Sequence, residues 1–556
     1  MRISVINQKL RIFATQSNQT PMTTEAIAEA LKLTAQLQEL HGENPFKVKA
    51  LSSAAYTLDK TNMDLSGKTL EELEGIKGIG KSIAAKIVEL QHTGTTAELA
   101  ALLDKTPPGV VEMLDIKGIG PKKVAQLWHE LGAESPGELL YACLENRLID
   151  LKGFGAKTQE QVKKAIEFKL SSSGKFHYAS ALPVAEAVKA ALRKAGIARV
   201  EITGAVRRCA EVIDHLEFVA QTDAPVAPEL TANDLQLPVT VHTCTAAEFG
   251  TVLFRTTAAP EFLLQLERQQ LHIPPAAATE AELFAALNLP EIAPELREGR
   301  GELALAAAGK LPALITVADL HGNLHNHSTY SDGVNTLAEM AQAAQKLGFS
   351  YYGCCDHSQS AFYAQGLKPE RVLEQFAEID RLNAQYNGSF KIFKGIESDI
   401  LHDGRLDYED DLLKQFDFIV ASVHSGLKMD KEKATRRLLK AIENPYTRIL
   451  GHPTGRLLLS REGYPIDHEM VIDACAANGV AIELNAHPWR LDIDWRWIPY
   501  CLEKNVLISI NPDAHATDGL RDVQWGVAAA RKGMLTAEQC LNAKSLPDFE
   551  NWLAKK

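Results

Sequence analysis

The sequence predicts a multidomain protein with a helical N-terminal half, a short α+β middle and a C-terminal α/β barrel. Three observations carry this. A glycine turn followed by an amphipathic helix recurs three times in the first third of the chain. Short strands lie between helices from about residue 176. From about residue 320 apolar runs alternate with helical segments, and histidines and acids gather just after the runs.

The chain has 556 residues, enough for several domains. It is 46% hydrophobic and 23% charged, ordinary values for a globular protein. No apolar run is long enough to span a bilayer. The eight cysteines are scattered without CxxC spacing, which favours reduced thiols over a disulfide framework. A net charge of −12 argues against a broadly basic nucleic-acid surface. It leaves room for local phosphate sites built from backbone N–H groups. Residues 1–21 carry Arg2, Lys9 and Arg11 and no acid, without the apolar core of a secretory signal. They read as a leader or as a start placed too early, with Met22 the true start.

The helical half spans 22–105, a small domain with the first glycine turn, and 106–175, which holds the other two. GIKGIG at 75–80 precedes KSIAAKIVEL, GIG at 118–120 precedes PKKVAQLWHEL, and LKGFG at 151–155 precedes AKTQEQVKKAIEF. Each is a helix–hairpin–helix pattern. Its glycines let the backbone approach a phosphate, and the next helix start presents N–H donors. Gly75, Gly78, Gly80, Gly118, Gly120, Lys122, Gly153 and Gly155 are the candidate DNA contacts. A purely structural helix hairpin is the alternative, most of all for the third copy. Such contacts position nucleic acid without reading its sequence.

Residues 176–315 hold the strands ARVEITGAV, LEFVAQ and LPVTVHT, then a Pro- and Ala-rich connector. Residues 316–556 carry SYYGCC, FKIFKGIE, FDFIVASVH, YTRILGH, VAIELN and VLISINPD, with helical stretches between. This alternation predicts parallel strands in a barrel with function at their C-terminal ends. There lie His325, His327, Asp332, His357, Glu397, His424, His452, Asp513 and His515. Imidazole and carboxylate together suit Zn or Mn, and so many ligands exceed one tetrahedral ion. Clusters of two or three metals activate water and clamp phosphate oxygens, so the expected chemistry is phosphoester hydrolysis. Glu397 is the candidate bridging ligand. Arg456 and Arg490 are candidates to grip substrate phosphate, with a rim salt bridge the alternative for each. Asp399 and Asp407 read as outer groups, and Asp356 as a residue orienting His357. His402, His468 and His487 fit no ligand position. Tyr330 and Trp489 either stack a base or pack in the core.

Together these motifs resemble bacterial family X DNA polymerases with a C-terminal polymerase-and-histidinol-phosphatase (PHP) domain. HGENPFKVKALSSAA at 41–55, the glycine hairpins, REGRGELALAAAGKLP and DLHGNLHNHSTYSDG carry the likeness from about Thr23 to the C-terminus. The resemblance implies a nucleotidyltransferase-like palm, a distorted (β/α)7 PHP barrel and a trinuclear Mn or Zn site. Glu397, Asp513, His515 and Arg456 are then the expected catalytic residues. It also implies 3′–5′ exonuclease, 3′-end processing or abasic-site activity. Lys86 corresponds to the family's deoxyribose-phosphate lyase lysine, with a solvated helix lysine the alternative.

The palm departs from the family pattern. In TGAVRRCAEVIDHLEFVAQTD, Ala205 replaces the phosphate-binding serine while Arg207 remains. His215 and Glu217 stand at the paired aspartates, and Thr240 at the third. Nucleotidyl transfer needs clustered carboxylates for Mg, so the palm is expected to be inactive and to serve DNA binding. The expected protein is a cytoplasmic DNA-repair phosphodiesterase, monomeric, acting on primer-template, gapped or damaged 3′ ends without a membrane partner. The alternatives are a small-molecule phosphomonoesterase, a DNA-binding scaffold or a residual polymerase.

Overall fold

The computed structural model describes residues 22–60, 65–76, 78–171, 174–226, 231 and 233–555. The expectation for residues 1–21 lies outside them. The chain packs as two units, one ending at Leu170 and the other beginning at Ser171.

The first unit is helical. Thr23 caps its first described helix, Thr24–Leu40, by accepting from the Ala26 N–H, and that helix packs on Pro45–Lys60. Thr69 and Glu72 form a reciprocal cap on Leu70–Glu74. Three hairpins of one geometry follow. Gly78, Gly118 and Gly153 take φ of +93°, +98° and +86°, a left-handed backbone that glycine adopts without strain. The next residue in each, Ile79, Ile119 or Phe154, is buried. Its N–H donates to the carbonyl three residues back, on Ile76, Ile116 or Leu151. The helices Lys81–Thr93, Pro121–Leu131 and Ala156–Ser171 start right after Gly80, Gly120 and Gly155.

The second unit opens with the palm. A ribbon of β1 (Phe176–His177) and β3 (Val212–Ile213) lies beside a three-stranded sheet in the order β2 (Val200–Thr203), β4 (Leu216–Gln221), β5 (Val239–Cys244). β2 runs antiparallel to β4, and β4 parallel to β5. A helical connector follows, whose core encloses the fully buried Arg297, paired with Glu280.

The barrel has seven parallel strands in sequence order: β6 (Gly322–Asn323), β7 (Tyr351–Cys354), β8 (Lys391–Asp399), β9 (Phe418–Ser422), β10 (Thr447–Leu450), β11 (Ala481–Asn485) and β12 (Ile508–Asn511). An isolated parallel bridge between Asn326 and Ala514 joins the ends of the sheet and nearly closes it. Six of these strands, all but β8, are buried at every position, as strands covered on both faces should be. The interior is filled by Leu324, Tyr351, Phe393, Phe418 and Ile449. Phe549 of the terminal helix Leu546–Leu553 stacks on Tyr351 at 4.8 Å within the same cluster.

Candidate metal centre

β8, through Glu397, and the turns after the barrel strands carry the nine expected ligands to one place. His327, Asp332, His357 and His515 offer donor atoms within 4.8 Å of one another, as do His325, His327 and Asp513, and His357, Glu397 and His424. His452 joins them, its Nε2 2.9 Å from Glu397 Oε1. Glu397 lies central: its oxygens stand 2.9 Å from His357 Nδ1, 3.1 Å from His424 Nε2 and 3.5 Å from His325 Nε2. Asp513 takes φ +53°, an uncommon left-handed backbone for a non-glycine residue that is typical of functional sites.

The donor set fits several divalent ions. His327 Nδ1, His357 Nε2 and His452 Nδ1 are buried without a hydrogen-bond partner, and His325 Nε2 and His357 Nδ1 face the Glu397 carboxylate without an aligned hydrogen bond. Polar atoms are rarely left so in a folded interior unless an ion completes them. Outer groups fix which nitrogen faces inward. His325 Nδ1 donates to Glu483 (2.7 Å), His424 Nδ1 to Asp399 (2.5 Å) and His515 Nδ1 to the Asp513 carbonyl (3.0 Å). That leaves each Nε2 for a metal. Burial alone would raise the Glu397 and Asp332 carboxyls, but the facing imidazoles hold both well below the usual range. Burial with two neighbouring imidazoles takes His327 down to about 4, the neutral form a metal binds.

Sequence reasoning missed Glu483 and Asn485. Glu483 holds His325, accepts the His452 N–H at 2.7 Å and receives Asn511. Asn485 donates to Asp513 Oδ2 at 2.9 Å. The available signal was a carboxylate and an amide inside the apolar run AIELN. Asp399 has the outer role expected of it. Asp356 does not orient His357. It accepts from Ser328, Ser331 and Gln375 and so shapes the turn that carries Asp332.

Arg456 is corrected. Its guanidinium is taken up by Glu211, Asp494 and the carbonyls of Arg490 and Leu491, so it is not poised to grip a phosphate. Arg490 is the arginine at the cluster, its Nε 3.8 Å from Asp513 Oδ2. Trp489 packs against the His177 ring at 4.3 Å, and Tyr330 donates to Glu378. His468 stacks on Trp497.

In the palm, Glu217 pairs in register with Thr240, and His215 Nε2 lies 2.7 Å from Thr240 Oγ1. The three positions of the family's acids therefore sit together with a single carboxylate, which itself faces His242 at 3.2 Å. Glu217 also closes over the turn before Ala205: a Cβ on Gly204 would fall 2.0 Å from its Oε2. Arg207 is bound to Glu280 and Thr257.

Around Gly80, Gly118, Gly120, Gly153 and Gly155 a Cβ would meet nothing within 4 Å, so the hairpin backbones are open to approach. Gly75 differs: it caps its helix with an ordinary right-handed backbone, and the hairpin geometry does not require glycine there. Lys122 is well exposed. Lys86 is ion-paired with Glu98.

Known families match in the same order. A helix-hairpin-helix domain matches residues 22–96, a SAM-like helix-hairpin-helix tandem 110–167, and a PHP domain 323–487. The chain is 34% identical to the DNA polymerase/3′–5′ exonuclease PolX of Bacillus subtilis, over 96% of its own length and 100% of that protein's. The chain belongs to the PolX family. Within the family's PHP domain it is also 31% identical to a probable phosphatase of Caldicellulosiruptor bescii, over 34% of this chain and 78% of that one. A solved histidinol phosphate phosphatase of Lactococcus lactis, complexed with zinc, L-histidinol and phosphate, aligns at 16% identity and a TM-score of 0.30, over 38% of this chain and 93% of that one. Among the described residues no helix is long and apolar enough to cross a membrane.

Proposed function

We propose that this PolX-family chain is a metal-dependent 3′–5′ exonuclease and 3′-end-processing phosphodiesterase. In this reading the barrel does the chemistry and the palm does not polymerise. The observation that carries it is the convergence of His325, His327, Asp332, His357, Glu397, His424, His452, Asp513 and His515 around buried, unpartnered donor atoms. Bound divalent metals, Mn or Zn by donor type, would make water nucleophilic at neutral pH and neutralise phosphate oxygens.

The chain's own residues supply the rest. Glu397 spans the ligand groups, and Glu483, Asp399 and Asn485 hold His325, His424 and Asp513 in orientation. Arg490 offers a fixed charge to a phosphate oxygen beside Asp513. The open glycine hairpins favour phosphate-backbone contact, which supports a primer-template or gapped 3′ end as substrate. One carboxylate among His215, Glu217 and Thr240 is too few for two-metal nucleotidyl transfer. None of the eight cysteines is joined in a disulfide, in keeping with a reducing cytoplasm. A monomer is the assembly proposed.

The relatives named as phosphatases make a small phosphomonoester the competing substrate. Nucleotide release from a labelled DNA 3′ end and hydrolysis of p-nitrophenyl phosphate, compared in Mn, decide between them. Preference for the DNA end supports the proposal. Turnover of the phosphomonoester alone overturns it.

A further inference from the structure

The palm meets the barrel's ligand-bearing face at a partly buried acid, Glu211. Glu211 directly precedes β3, and its carbonyl accepts the Tyr178 N–H at 3.1 Å, so the β1–β3 ribbon holds it in place. One of its carboxylate oxygens takes Arg456 Nη2, and the other lies 3.4 Å from Arg496 Nη1. Arg456 reaches from there into the loop after β11: its Nε donates to the Arg490 carbonyl at 3.0 Å, and Nη2 donates also to the Leu491 carbonyl. Arg490 in turn stands beside the ligand Asp513. The same ribbon touches this loop pair again, with the His177 ring on Trp489 and His177 Nε2 3.1 Å from the Leu458 carbonyl.

A buried ion pair contributes little net stability once both charges are desolvated, and its best-attested value is in fixing one geometry over others. Here the geometry fixed is that of the backbone carrying Arg490. His325, His424 and Asp513 also have their own side-chain supports in Glu483, Asp399 and Asn485.

We propose that Glu211 is a positioning residue for the barrel's hydrolase, acting through Arg456 to hold the Arg490–Leu491 backbone and so aim Arg490 at the substrate phosphate. The proposal rests on the phosphoesterase reading above. It gives a palm with a single carboxylate at its own site a use in the neighbouring reaction.

The test compares wild type, Glu211→Gln, Glu211→Ala and Arg496→Ala as full-length, Mn-loaded protein. Arg496 shares Glu211 but makes no bond to the 490–491 carbonyls. Bound metal per chain, thermal melting, and kcat and KM are read on a DNA 3′ end and on p-nitrophenyl phosphate. The expected result is a fall of about tenfold or more in kcat for both Glu211 variants, the scale small misplacements of catalytic groups cost. Bound metal should stay unchanged and both Glu211 variants should stay folded, with a lowered melting temperature because Arg456 loses a charged partner, while Arg496→Ala should keep kcat within twofold of wild type. The proposal is overturned if the Glu211 variants keep kcat within twofold. It is equally overturned if they unfold or lose metal, or if Arg496→Ala falls as far, since the contact would then serve general docking. Wild type inert on DNA but active on p-nitrophenyl phosphate would sink the nuclease reading alone, and the Glu211 comparison would then be read on that substrate.

Discussion

Three imidazoles of the centre, those of His325, His424 and His515, do two jobs, and the second nitrogen is where a single substitution tells most. Glu483 lies outside the nine ligands, yet it orients His325 and anchors the His452 backbone. Glu483→Gln keeps the shape and removes the charge that makes His325 a stronger ligand. The expected outcome is metal affinity weakened by about 10–100-fold with the barrel intact, read by Mn titration beside circular dichroism. Unchanged affinity would mean that His325 needs no such partner. The candidate ligands were legible in the sequence because most of them follow an apolar run near a strand end. Glu483 and Asn485 were not, because they lie within a run, and only the closed barrel turns those positions toward the ligands. Arg456 was misassigned for a related reason: its partner Glu211 lies 245 positions away, a pairing that spacing cannot reveal.

The glycine hairpins repeat one backbone solution with different side chains, Ile79, Ile119 and Phe154 filling the same role. The GxG signature made these elements readable, the looser third copy included. Gly118→Ala places a Cβ at φ +98°, which costs about 1–2 kcal/mol. A lower melting temperature should accompany weaker duplex binding, seen by fluorescence anisotropy at several salt concentrations. Wild-type affinity in a folded variant would remove that hairpin from the DNA contact. The barrel's long buried strands were equally readable, whereas β6 was not, having only two residues and being recruited by pairing with β7. The terminal helix carries Leu546, Phe549, Trp552 and Leu553 at helical spacing, a pattern that marks a packed helix without saying that it packs on the barrel core.

At the scale of the whole molecule, acids and imidazoles gather in the interior where only cations offset their desolvation. Metals bind the folded barrel and not the unfolded chain, so they stabilise it by mass action, about 2.7 kcal/mol at a hundredfold excess over Kd. Dialysis against a chelator should therefore lower the melting temperature, and Mn should restore it. A melt indifferent to both would show that the centre holds no metal of consequence. The palm and barrel share one unit of the fold, yet a single carboxylate stands where the family keeps three. That imbalance is the basis for assigning the chemistry to the barrel.

The most direct measurement uses a 5′-labelled primer–template with Mn and all four deoxynucleotides, incubated with wild type and with Asp513→Ala. The account predicts stepwise shortening of the primer by wild type alone, with neither protein extending it. Extension by either protein, or shortening that persists in Asp513→Ala, would contradict it.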